Sequence, residues 1–108
     1  MAHDAAILEL LREYAGDIAT GERKMFGAHA LMLNGNMFLA AYGGDWHARV
    51  GPDGMAAAEA LGAVPFAPKG GRGMKGIAAA DMAMLEDEDI REKIIALAVS
   101  FVETLPPK

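Results

Sequence analysis

Ala30-Leu31-Met32-Leu33-Asn34-Gly35-Asn36-Met37-Phe38-Leu39-Ala40-Ala41-Tyr42 lies near the middle of the 108-residue chain and decides how the rest is arranged. Two apolar runs flank Asn34-Gly35. That dipeptide is a strong hairpin signal, because a type I′ turn needs positive φ at both central residues and Asn and Gly tolerate it. Gly43-Gly44-Asp45 makes a second break, and Trp46-His47-Ala48-Arg49-Val50 follows it. This last segment alternates apolar with polar residues, as a half-buried strand does. Met25 to Val50 is therefore expected to form a three-stranded antiparallel meander.

The pleat sorts these side chains onto two faces. With two-residue turns at both breaks, Leu33 faces Asn36, Leu31 faces Phe38 and His29 faces Ala40. On the next ladder Ala40 faces His47 and Phe38 faces Arg49. One face then collects Ala30, Met32, Met37, Leu39, Ala41, Trp46, Ala48 and Val50; being wholly apolar, it should lie under helices. A longer Gly43-Gly44-Asp45 loop would turn the third strand over and bury His47 and Arg49 among those residues, which costs too much to be preferred.

The opposite face collects His29, Leu31, Leu33, Phe38, Ala40, Tyr42, Asp45, His47 and Arg49. A sheet face turned only to water is usually more polar. Leu31, Phe38, Tyr42, His47 and Arg49 combine aromatic, aliphatic and arginine side chains in the manner enriched where proteins meet. They form a candidate interaction face for a protein partner or a second copy. The alternative is that C-terminal strands or a loop of the same chain cover them.

Outward from the meander, Asp4 is placed to cap a helix whose stripe is Ile7, Leu11, Tyr14 and Ile18, closed by Thr20-Gly21. Glu9, Glu13 and Asp17 read as its solvated face. Pro52-Asp53 opens a short alanine-rich helix that Gly62 ends. Ala63 to Pro68 is a short extended piece held near a sheet edge by its prolines, and Ile77 to Ala79 returns as a strand. Glu86-Asp87-Glu88-Asp89 occupies the first turn of a last helix, where carboxylates complement the helix dipole. Ile90, Ile94, Leu97, Phe101 and Leu105 give that helix an amphipathic stripe before Pro106-Pro107. The fold class expected is α+β: an antiparallel sheet, the meander plus one or two further strands, layered against N-terminal, middle and C-terminal helices.

Composition bounds the function. One domain over residues 1–108 is large enough for a core without staples. There is no cysteine, which suits a reducing cytoplasm and removes thiolate metal sites. No stretch approaches the ~20 apolar residues that span a bilayer, and the N-terminus lacks a signal-peptide layout. Net charge is −5, with acidic ends and a basic middle. Within that middle, Arg23, Lys24, Lys69, Arg72 and Lys75 are candidate contacts for a phosphate, an acidic partner or nucleic acid. An acidic total argues against general nucleic-acid affinity.

No catalytic constellation emerges. Gly71-Arg72-Gly73-Met74-Lys75-Gly76 matches G-x-G-x-x-G, but a dinucleotide site needs a buried parallel strand before it and a helix after it. Pro65 and Pro68 spoil the strand, and no strong helix signal follows. His29 and His47 fall on one expected face with Ala40 between them. That spacing is about 9–10 Å, too wide to share a metal at ~2 Å bonds. Met74, Met82 and Met84 are core filling or an adaptable contact surface. Neither a nucleophile nor a tuned acid–base pair is present, so a non-catalytic protein without cofactor or metal is expected.

Lys24-Met25-Phe26-Gly27 followed by Leu31-Met32-Leu33-Asn34-Gly35-Asn36-Met37-Phe38 resembles the N-terminal domain of the TfoX/Sxy family of competence regulators. Trp46-His47-Ala48-Arg49-Val50, Pro65-Phe66 after a short helix, and Leu85-Glu86-Asp87 before the last helix fit the same pattern. The resemblance covers residues 5–105. It implies a two-layer α+β domain, here expected to stand alone, with a regulatory role. Members of that family are linked to switching on DNA-uptake genes by assisting a cAMP-receptor-type activator, so the implied partner is a transcription activator. The chain departs from the family in ending at Lys108, where such regulators carry a second domain. It also has Ile77 and Ala78 to Ala80 where aromatic residues are common.

Overall fold

A computed structural model describes residues 2–25, 28–66 and 76–107. Helix α1 (Ala2–Ala15) precedes four strands, β1 (Gly21–Met25), β2 (Ala28–Leu33), β3 (Asn36–Tyr42) and β4 (Asp45–Arg49). A 3-10 turn at Pro52–Gly54 leads into α2 (Met55–Ala60), then come β5 (Val64–Pro65), β6 (Ile77–Ala80), α3 (Met82–Glu86) and α4 (Glu88–Val102). The strands form one six-stranded antiparallel sheet in the order β1-β2-β3-β4-β6-β5. Helices α1 and α4 cover one side of it, an α+β architecture as expected.

Both hairpin turns have the geometry their residues demand. Asn34 and Gly35 sit at φ 54° and 84°, and Gly43 and Gly44 at 64° and 88°. Leu33 pairs with Asn36 and Ala40 with His47, as expected. Between these points the register shifts. Met32 pairs with Met37 but Leu31 pairs with Leu39, leaving Phe38 as an extra residue on β3. A β-bulge of this kind turns two successive residues toward the same side.

The consequence is a correction to the expected faces. Phe38 and Leu39 both join the core beneath the helices, and all of β2 is turned over relative to expectation. Leu31 and Leu33 lie in the main core, while Ala30, Met32 and Ala40 form a smaller buried cluster with Ala28 and Met37 on the opposite face. The placement of Leu31 and Phe38 on an outer interaction face is therefore wrong; both are completely buried. Beyond the bulge, Ala41, Trp46, Ala48 and Val50 face the helices as expected.

Three elements differ from the sequence reading. β1 is a strand of its own, making the meander four-stranded and the sheet six-stranded. Its residues, Gly21-Glu22-Arg23-Lys24-Met25, offer no apolar alternation because it is an edge strand with one neighbour. α1 already includes Ala2, so Asp4 lies within it and is not its cap. A separate helix α3 precedes α4, and each has an aspartate cap: Asp81 accepts from the Met84 amide at 2.9 Å and Asp87 from the Ile90 amide at 3.1 Å.

Side-chain polar groups tie the layers together. Buried Arg91 donates from Nη1 to the Leu85 carbonyl at 3.1 Å, and its guanidinium lies 3.7 Å from the Tyr14 ring centroid. This one side chain joins α4, the end of α3 and α1. Trp46 Nε1 donates to the Asp81 carbonyl at 2.9 Å, fixing β4 to the start of α3. Asn36 Nδ2 donates to the Pro106 carbonyl at 3.0 Å, so the hairpin holds the segment after α4. At Gly51 (φ 78°) a Cβ would stand 2.3 Å from Phe101 Cδ1, which leaves glycine as the residue that fits under that ring. Among the described residues no helix is long and apolar enough to cross a membrane.

Candidate functional site

The face of the sheet away from α1 and α4 carries the aromatic part of the expected surface. Ala40 on β3, His47 on β4, Ala79 on β6 and Val64 on β5 are successive partners across the strands, and Ala30 and Arg23 continue the row to β1. Its middle is buried: Ala30, Ala40, His47 and Ala79 are all below a tenth exposed, at 0%, 3%, 5% and 8%. Val64 at its end is 57% exposed.

At the β5 end, Tyr42, His47 and Phe66 form a three-ring cluster. His47 and Phe66 meet at 4.3 Å between centroids, and Phe66 stands edge-on to Tyr42 at 5.9 Å. Such tilted arrangements suit the ring quadrupoles. The cluster exists because β6 inserts beside β4 and carries β5 with it. The Phe66 amide donates to the Ile77 carbonyl at 2.9 Å, extending that pairing by a residue. Phe66 and Val64 were not among the expected surface residues. The alternation of Val64, Pro65 and Phe66 marks an extended segment, but nothing local to it points toward His47.

Of the five residues expected to share a face, the structure brings Tyr42 and His47 together and sends Leu31 and Phe38 to the core. Arg49 is half-buried, and its guanidinium carbon lies 5.9 Å from the Phe101 ring centroid, so it reaches toward α4. That distance is at the outer reach of a cation–π contact.

The basic set divides as well. Arg23 and Lys24 stand exposed on β1, whereas Lys69, Arg72 and Lys75, with all of the G-x-G-x-x-G match except Gly76, lie outside the described residues. Next to Arg23, Glu22 receives a two-pronged contact from Arg12 of α1, at 2.9 and 2.8 Å, and sits 2.9 Å from His29 Nε2. The hydrogen bonds from Arg12 and then His29 hold the Glu22 carboxyl down at about 2. His29 is thus on the helix side with Glu22, well separated in the sheet from His47 on the other.

Among the described residues no group of His, Asp and Glu has metal-binding geometry. An open groove of about 470 Å³ between α2 and α4 is lined by Ala60, Leu61, Ala96 and Leu97, with Lys93 and Ser100 at its border. It lacks the few convergent polar groups that orient a small ligand. What fold and surface define is a sheet-and-helix domain with an exposed aliphatic residue, Val64, beside aromatic rings at one margin of its sheet.

That class can be made specific. Residues 9–102 match the TfoX N-terminal domain, nearly the whole chain, and the chain belongs to that family. No curated protein and no solved structure matches it.

Proposed function

We propose that the protein is a non-catalytic regulatory domain, resembling the N-terminal domain of competence regulators, that acts in the cytoplasm by binding a protein partner. Membership of the TfoX N-terminal domain family supports the regulatory part. The binding part rests on one observation: Val64, 57% exposed, borders the Tyr42–His47–Phe66 cluster at the end of the sheet. The other large hydrophobic exposed among the described residues, Ile18, lies just beyond α1. Aromatic rings beside an exposed aliphatic side chain match the composition enriched where proteins meet.

Following the resemblance, the partner tested first is a purified cAMP-receptor-type activator on DNA carrying its site. The protein should bind it, and Val64→Glu with Tyr42→Ala should lose that binding while Trp46 stays buried, read from its emission. Binding unchanged in the double variant overturns the patch, and no binding by the natural chain overturns the partner.

A further inference from the structure

Among the described residues strand β1 is the open edge of the sheet, with β2 on one side and no strand on the other. Its described side-chain positions, Gly21, Glu22, Arg23 and Lys24, are all exposed. An edge strand presents a row of amides and carbonyls that another extended segment can complete. The charges on β1 decide which segment. Glu22 is held by Arg12 and His29, so its negative charge is already matched. Arg23 and Lys24 make no ion pair with another described residue, and they point to opposite faces because side chains alternate. The edge therefore offers one unmatched positive charge on each face, at adjacent positions.

A second copy of the chain is disfavoured by the same three residues. In a symmetric antiparallel pairing the central residue faces its own copy, so centring on residue 22, 23 or 24 sets Glu against Glu, Arg against Arg or Lys against Lys; centring on 23 also sets Glu22 opposite Lys24, but Glu22 is already held by Arg12 and His29. Like charges directly opposite destabilise a strand pair. An extended segment with two neighbouring carboxylates meets no such conflict, since one carboxylate reaches each face. We propose that β1 accepts an extended acidic peptide segment by strand addition, with Arg23 and Lys24 as its charge-reading residues. The inference shares with the function above the view of the chain as an interaction domain. It uses the opposite margin of the six-stranded sheet from Val64.

The test uses the full chain and a short fluorescent peptide with a central Glu-Asp pair flanked by Val and Thr, followed by anisotropy at low salt. Saturable binding is expected, weakened about tenfold or more by Arg23→Glu with Lys24→Glu. It should be lost when alternate amides of the peptide are N-methylated, and unchanged by Val64→Glu, which separates this edge from the aromatic patch. Absence of binding overturns the proposal. So does equal binding of the methylated peptide, which would mean charge attraction without strand pairing. So does a single-stranded oligonucleotide that displaces the peptide at lower concentration, or sedimentation showing a dimer that the charge reversal dissolves. Both substituted residues are exposed, so the variant should fold, and unchanged Trp46 emission checks this.

Discussion

Phe38 shows how much one residue governs here. As the extra residue of the β3 bulge it turns inward together with Leu39, and it is completely buried between sheet and helices. Phe38→Ala should cost about 3–5 kcal/mol, the range for deleting a buried aromatic ring. Tyr42→Ala, half-exposed in the outer cluster, should cost clearly less; urea titrations of both variants check the ordering. Among the described residues Glu22 carries the one strong carboxylate shift, down to about 2 from an ordinary 4.5. Because the folded value is depressed, its stabilisation is complete above the ordinary value and is lost as pH falls from there toward 2. The pair with Arg12 is exposed, so screening limits the effect to about 1 kcal/mol or less. Glu22→Gln should flatten the acid side of a stability-against-pH curve by that amount, and an unchanged slope would show that the contact contributes nothing.

At the level of elements, the chain uses caps and edges in opposite ways. α3 and α4 follow each other with only Asp87 between them, and Asp87 closes the first while its carboxylate caps the second. Asp87→Ala should destabilise by about 1 kcal/mol, as loss of an N-cap does, and thermal melting can detect it. Arg91, stacked on Tyr14 and bonded to Leu85, holds the same corner from inside. The edge strands are managed differently. β5 is only Val64–Pro65, and proline removes a donor that another strand could use. β1 is longer and relies on charge, which repels its own copy while leaving room for an acidic segment.

Across the whole molecule, one cluster joins α1, the sheet, α2, α3 and α4, and the Cα radius of gyration is 12.3 Å. A domain of 100 residues is expected near 13 Å, so the described chain is fully collapsed around that core. Unfolding should be a single cooperative transition. The lone tryptophan, Trp46, is completely buried at the centre and should report it. Its emission and the far-UV circular dichroism are expected to change together in urea, and separate midpoints would show that the helices leave before the sheet. The local features of this fold could be read directly from residues. Asn34-Gly35 and Gly43-Gly44 specified their turns, β4 its alternation and α4 its stripe, because each signal lies within a few neighbouring positions. The face assignment of β2 and Phe38 could not be read in the same way. Met37-Phe38-Leu39-Ala40-Ala41 is apolar throughout, so it contains no alternation to reveal an inserted residue. Nor could Val64 and Phe66 be set beside His47, since that proximity follows from β6 entering next to β4, a long-range pairing without a local signature. By itself the sequence determined where strands turn and helices begin. Packing of the two layers decided which side chains were left at the surface, because a continuous apolar strand can present either face until something large enough must fit beneath the helices.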